Sequence, residues 1–182
     1  SPHGFAMKPS HAKMLQEADL IFWVGEDLES FLEKPLKSIA KKAEKIELME
    51  IKKLTKLEFR ERNIFEGHDD HGHGEHKEHG HKEDKHDDHH GHAHGEHDPH
   101  IWLDPINAKS ILSEMAVHLI EKDPNNASSY KANLKKAHKA LDNLTKKVKS
   151  ELKGDFNSIV FHDAYQYFEK RFDVNVLGAV SY

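Results

Sequence analysis

One segment of this chain cannot contribute to a packed core. Residues 68–97 contain 12 His, nine acidic residues and three Lys, and Ala93 is their only apolar residue. A segment with so little apolar surface cannot offset the conformational entropy that ordering it would cost. We therefore predict that residues 66–97 form a disordered, His-rich insert within an otherwise ordinary globular chain.

The rest of the chain has the composition of a globular domain. Residues 68–97 carry a net charge of about -6, so the other 152 residues are close to neutral, while the whole chain has a net charge of -5. This charge does not favour a nucleic-acid-binding protein. No apolar run approaches the roughly 18 residues that a transmembrane helix needs. The chain has no Cys, which excludes disulfides, thiolate zinc sites and a Cys nucleophile.

Short apolar runs alternate with helical patterns on both sides of the insert. Ser10 is the predicted N-cap of a first helix, and Asp104 followed by Pro105 marks a stronger helix start. Apolar residues at three- and four-residue spacing predict one long helix that ends near Gly154. Strand–helix–strand units of this length are typical of parallel sheets with crossover helices, so the predicted fold class is α/β. The predicted strands are residues 20–24, 46–49, 158–161 and 174–180.

Three of the six histidines outside the insert stand in loops that suit a metal site. His162 lies where a predicted parallel strand meets the next helix, which is the sheet edge at which ligands bind. His100 lies in a loop that Pro99 and Pro105 make rigid, and His3 precedes the first helix. We interpret these three as candidate metal ligands, against the alternative that each is a surface residue. The other three are interpreted as ordinary helix residues: His11, His118 and His138.

Four stretches of the chain resemble motifs of the metal-specific solute-binding family (cluster A-I) of bacterial ABC importers. The first His motif of that family is similar to residues 2–10, PHGFAMKPS, and a strand motif is similar to residues 18–25, ADLIFWVG. Its second His loop closely resembles residues 98–105, DPHIWLDP, and its third His motif resembles residues 161–168, FHDAYQYF. Zinc-binding members also carry an acid- and His-rich insert before the second motif.

The resemblance implies a two-lobed metal-binding protein, in which a long helix joins two α/β lobes and the ion lies between them. On this interpretation residues 1–122 are the N-terminal lobe, residues 124–153 are the connecting helix, and residues 155–182 begin a truncated C-terminal lobe. The resemblance also implies that zinc is bound by His3, His100 and His162. Three neutral imidazoles suit Zn²⁺ better than Mn²⁺. The fourth ligand stays open between water, a His of the insert and a residue missing from this chain.

Three acidic residues stand close in sequence to the proposed ligands. Asp98, Asp104 and Asp163 are candidate acceptors for the N–H groups of the ligating imidazoles. Asp104 is equally well placed to cap a helix.

The insert offers many weaker chelating pairs, of which His71 with His73 and His86 with His89 are examples. We predict several low-affinity zinc sites with no unique geometry, which would concentrate zinc, sense it or slow its loss. The proposed low-affinity ligands are His68, His71, His73, His76, His79, His81, His86, His89, His90, His92, His94 and His97.

The implied function is the binding of zinc outside the cytoplasmic membrane and its delivery to the permease of an ABC importer, without catalysis. The protein would be periplasmic, or extracellular and lipid-anchored in a Gram-positive bacterium. Two other classes stay open, a zinc-storing or adhesive surface lipoprotein and a zinc hydrolase. No HExxH or nucleophile motif supports the hydrolase. The strand predicted at 174–180 has no following helix to cover it, so we expect further residues beyond Tyr182 in the intact protein.

Overall fold

The structure is a computed structural model that describes residues 5–60, 96–152 and 157–181. Within these ranges the chain forms five α-helices and four β-strands, joined in part by short 3-10 turns. The elements are α1 (Pro9–Glu17), β1 (Leu20–Trp23), α2 (Glu26–Ser38), β2 (Glu44–Glu47), α3 (Pro105–Lys122), α4 (Ala127–Glu151), β3 (Asn157–His162), α5 (Gln166–Phe172) and β4 (Asn175–Ser181). In the described ranges we find no helix with the length and apolar character needed to cross a membrane.

The strands form two parallel pairs, each connected by a crossover helix. β1 and β2 pair in register from Leu20 opposite Glu44, with α2 between them in sequence. β3 and β4 pair from Asn157 opposite Asn175 to His162 opposite Ser181, with α5 between them. Two parallel neighbours start at the same end of the sheet, so the connection must run back along the whole strand. A tight turn is too short for this, whereas a crossover helix is long enough. The predicted α/β class with parallel strands is confirmed.

One apolar cluster fastens the loop around residue 100 to the rest of the protein. Ile101 is fully buried and Tyr167 of α5 is 1% exposed, and both pack with Met49, Ile51 and Ile111. Burying a side chain of this size contributes roughly 1.5–3 kcal/mol. The loop before α3 is therefore held between α5 and the segment that follows β2.

The start of α1 differs from the sequence-based expectation. Lys8, not Ser10, is the N-cap, and Pro9 takes the first helical position, where its missing N–H costs nothing. The backbone N–H of Lys8 donates to Nδ1 of His11 at 3.2 Å, so a side chain of the first helical turn pairs with the backbone of the N-cap residue.

Two further boundaries also shift. β2 ends at Glu47 rather than at residue 49, because Leu48–Glu50 form a 3-10 turn that brings Met49 into the core. α4 begins at Ala127, since Pro124–Asn126 form a 3-10 turn of their own. The predicted cap at the start of α3 is confirmed by the side chain of Asp104, which accepts the backbone N–H of Ile106 at 2.8 Å.

Candidate metal centre

Two distant parts of the chain bring His100 and His162 together. His100 precedes the 3-10 turn Ile101–Leu103, and His162 is the last residue of β3. Their ring centroids are 5.3 Å apart, and the ring planes are inclined at 68°. Two imidazoles bound to one tetrahedral zinc ion, with Zn–N distances of about 2.0–2.1 Å, would have centroids roughly 5.1 Å apart. The spacing of the two rings therefore fits a shared zinc ion.

Asp98 orients the His100 ring. Its Oδ1 lies 2.7 Å from Nδ1 of His100 and accepts the backbone N–H of His100 at 2.9 Å. Both residues are buried, with 4% of Asp98 and 7% of His100 exposed. Because an ionised carboxylate only accepts hydrogen bonds, we assign the proton to Nδ1. Nε2 is then the nitrogen with which His100 would ligate a metal.

Two side chains of α5 hold Asp98 in turn. The hydroxyl of Tyr167 donates to the backbone oxygen of Asp98 at 2.7 Å and accepts the N–H of Leu57 at 3.0 Å. Nε2 of Gln166 donates to Oδ2 of Asp98 at 3.2 Å and to the backbone oxygen of Glu58 at 2.9 Å. The backbone of Asp98 also donates to Leu57 at 2.8 Å. These bonds join α5, the loop of His100 and residues 57–58 in one network.

The surroundings of His162 favour its neutral form. Burial lowers the pKa of His162, and the charge that His100 can carry lowers it further, while Asp163 and Asp98 raise it in part. A neutral imidazole is the form that binds a metal, so a lowered pKa reduces competition from protons.

A cleft of about 470 Å³ opens onto both imidazoles. Its walls are mainly aromatic and aliphatic, and the Trp102 ring lies 5.5 Å from the His100 ring. Such walls strengthen electrostatic contacts made inside the cleft, because they exclude water from one side of it. The other lining residues are Phe5, Leu28, Glu29, Phe31, Leu103, Ala164 and Tyr165.

Of the other two candidate acidic partners, Asp104 has a structural role. Besides capping α3, its two oxygens accept from Nε and Nη2 of Arg171 at 2.7 and 2.6 Å. Asp163 lies next to His162 and 4.0 Å from Nη2 of Arg60, and its buried Oδ1 makes no hydrogen bond within the described part of the chain. The geometry thus places Asp98, rather than Asp104, against a proposed ligand.

Most of the other proposed ligands lie outside the described residues. These are His3 and all but one of the twelve histidines of the insert. The exception is His97, whose backbone forms an antiparallel bridge with Glu58. Within residues 5–60, 96–152 and 157–181, no group of three or more His, Asp or Glu is placed to hold a metal ion. His100 and His162 are therefore the two proposed specific ligands that the structure brings together.

Each of the three histidines interpreted as ordinary contacts another residue of the protein. His118 lies between Glu44, 2.8 Å from Nδ1, and Glu114, 3.5 Å from Nε2. Nε2 of His138 lies 3.0 Å from the backbone oxygen of Lys109. His11 completes the N-terminus of α1.

Sequence reasoning missed Gln166 and Tyr167. Neither residue type is a common metal ligand, and their contacts with Asp98 span 68 and 69 residues. Their place within residues 161–168, the stretch that resembles the third His motif, was a signal that could have pointed to them.

Comparison with known proteins assigns the chain to a family. The family model described as zinc-uptake complex component A periplasmic, or ZnuA, matches residues 1–182. The high-affinity zinc uptake system protein ZnuA of Brucella abortus is 43% identical over an alignment of 193 residues that covers all of this chain. The chain belongs to the ZnuA family.

Other ZnuA proteins agree with this assignment. The ZnuA of Yersinia pestis is 37% identical over 185 residues, with 98% of this chain and 55% of that protein aligned. A crystal structure of a ZnuA deletion mutant with zinc bound superposes with a TM-score of 0.73 at 22% identity, covering 100% of this chain and 58% of that one. It supports the fold. The chain also spans only 58% of the length of the Brucella ZnuA.

Proposed function

We propose that this chain is the part of a ZnuA-type protein that captures a zinc ion for delivery to an ABC importer. The observation that carries the proposal is the pairing of His100 and His162 at the cleft, where their ring centroids are 5.3 Å apart. The buried carboxylate of Asp98 contacts Nδ1 of His100. Neutral imidazoles oriented by a carboxylate are typical zinc ligands. The names of the relatives in Brucella and Yersinia support zinc as the ion, as does the zinc bound to the ZnuA deletion mutant.

His3 is the proposed third ligand. Phe5 lines the same cleft as His100 and His162. Two peptide units of about 3.8 Å each keep the Cα of residue 3 within roughly 7.6 Å of the Cα of Phe5. The length of the covalent chain therefore allows His3 to reach the cleft. The fourth ligand would be water, a His of the insert or a residue from outside this chain.

The domain organisation is part of the proposal. Residues 1–122 would form the first lobe, α4 would lie within the connecting helix of residues 124–153, and residues 155–182 would begin the second lobe. The insert histidines would bind zinc more weakly than the cleft does, because a segment whose only apolar residue is Ala93 offers no core to preorganise them.

Capture and delivery need no bond-making step, so we propose that the chain is not an enzyme. Its partner would be the permease of the importer, and its location would be the periplasm, as in the family description. In a Gram-positive bacterium, the protein would instead be extracellular and held at the membrane by a lipid anchor.

Zinc titration against a competing chelator tests the proposal. The unchanged chain is expected to hold one tight zinc ion, and His100→Ala or His162→Ala should each weaken it by more than about 100-fold, since outer-shell changes alone cost roughly 10- to 100-fold. The control is His118→Ala, which removes an imidazole that lies between two carboxylates and does not line the cleft. It should leave the tight affinity within twofold.

Deletion of residues 68–95 separates the proposal from a zinc-storing or adhesive protein. The deletion keeps His97 and its bridge to Glu58. We expect it to remove the weak sites and to spare the tight one. If the tightest site disappears with the insert, or survives His100→Ala, the storage function is the better account. Hydrolysis of ester or phosphate substrates by the zinc-loaded protein would instead support the hydrolase.

A further inference from the structure

We infer that Gln166 is a positioning residue for the zinc centre, acting through Asp98 on the His100 imidazole. The inference rests on the proposed function and adds a residue that binds neither the metal nor a metal ligand. Nε2 of Gln166 lies 3.2 Å from Oδ2 of Asp98 and 2.9 Å from the backbone oxygen of Glu58.

The two oxygens of Asp98 have separate partners. Oδ1 faces both Nδ1 and the backbone N–H of His100, whereas Oδ2 accepts from Gln166. The terminal torsion of an aspartate is soft and broadly populated. A donor at Oδ2 therefore restricts the plane of the carboxylate, and that plane directs the hydrogen bond to the His100 ring.

The burial of Asp98 makes this donor important. Asp98 is 4% exposed, and none of the described Lys or Arg side chains forms an ion pair with it. Arg60 pairs with Glu169 and Asp163 instead. A buried carboxylate without a cationic partner depends on its hydrogen-bond donors. Loss of the Gln166 amide would leave Oδ2 without a side-chain donor from residues 5–60, 96–152 and 157–181.

Gln166 also connects the two proposed ligands. It is the first residue of α5, and His162 is the last residue of β3, four positions earlier. A backbone hydrogen bond from Ala164 to His162, 2.9 Å long, tightens the turn between them. The unit that carries His162 thus also orients His100, which preorganises the spacing of the two rings before zinc binds.

The test compares two buried or partly buried amides that hold the same segment. Gln166→Met removes the donor at nearly the same side-chain volume. Asn107 is 1% exposed and forms two hydrogen bonds with the backbone of Thr55, 2.9 and 2.8 Å long. Asn107→Ala therefore loosens the segment that leads to Glu58 without removing a contact to Asp98. Gln16→Met makes the same chemical change at an exposed position of α1.

We expect Gln166→Met to raise the zinc Kd by about 3- to 10-fold, less than the roughly 10- to 100-fold caused by losing a direct partner of a ligand. It should also change the visible absorption spectrum of bound Co²⁺, which reports ligand geometry. Gln16→Met should change neither quantity. Asn107→Ala should lower the Tm of the zinc-free protein by at least as much as Gln166→Met and leave the zinc Kd within twofold.

Two results would overturn the inference. One is a zinc Kd within twofold of the unchanged chain and an unaltered Co²⁺ spectrum for Gln166→Met. The other is equal weakening of zinc binding by any folded Asn107 variant, either Asn107→Ala or Asn107→Asp, since the effect would then be general loosening of the segment. If His100→Ala keeps the tight site, the proposed function itself is wrong, and this outcome is distinct from the other two.

Discussion

Replacing Asp104 should destabilise the chain through two separable interactions. Its side chain caps α3 through Ile106, and it binds Arg171 of α5 with both oxygens while being 4% exposed. Loss of a cap costs about 1 kcal/mol. The Arg171 side chain is 32% exposed. The stabilisation from this ion pair should therefore lie between the roughly 0–1 kcal/mol of a surface pair and the roughly 3–5 kcal/mol lost when a buried pair is broken. We estimate about 1–2 kcal/mol for it.

Asp104→Ala should therefore lose about 2–3 kcal/mol, and Asp104→Asn, which keeps a capping oxygen, about 1–2 kcal/mol. For a chain of this size the alanine variant should melt roughly 4–12 °C lower. Urea unfolding of the zinc-free protein, followed by circular dichroism, measures both free energies of unfolding. Arg171→Met should lose at least as much as Asp104→Asn, because it removes the same ion pair and leaves the buried Asp104 carboxylate without a cation. Equal losses for the alanine and asparagine variants, or losses below about 0.5 kcal/mol for both, would refute this division into cap and ion pair.

Three further predictions concern the core, the charge near α2 and the cleft. Ile101 is fully buried, so Ile101→Ala should lower the free energy of unfolding by about 2–5 kcal/mol. A loss below about 1 kcal/mol in urea unfolding would contradict the placement of Ile101 in the core. Burial, and next the charge of Glu50, raise the pKa of Glu47 above its ordinary value of 4.5, so its ionised form destabilises the folded state above that raised pKa. Glu47→Gln should accordingly raise the Tm at pH 7.5. The gain in Tm should disappear as the pH falls to about 4.5, the pKa of Glu47 in the unfolded chain. A gain of equal size at both pH values would exclude the ionisation of Glu47 as its cause. Zinc should alter the fluorescence of Trp102, whose ring centroid is 5.5 Å from that of His100. The fluorescence response to zinc should vanish in Trp102→Phe. If that variant still responds, the signal comes from Trp23, and this would count against zinc binding in the cleft.

Local signals in the sequence predicted much of the fold. Pro105 after Asp104 marked the start of α3 correctly, because capping depends on adjacent residues. The apolar run that forms β1 was equally clear. β2 was displaced in the prediction because Ile46 is its only buried residue and its other residues are polar. An apolar-run criterion therefore favoured the residues of the following 3-10 turn.

The candidate site was predictable where it depends on fold topology. His162 was placed at the carboxyl end of a parallel strand, the edge where ligands bind. The partners of Asp98 were not predictable, because the contacts of Gln166 and Tyr167 span nearly seventy residues and have no periodic pattern. Which carboxylate faces His100 also needed the structure, since Asp98 and Asp104 lie only two and four residues from His100 on either side.

The most direct test of the account is anomalous diffraction at the zinc absorption edge from crystals grown with one equivalent of zinc. The account predicts one dominant peak in the cleft, about 2.0–2.1 Å from Nε2 of His100 and from a ring nitrogen of His162. A dominant peak on the histidines of the insert or beside His118, with none between His100 and His162, would contradict it.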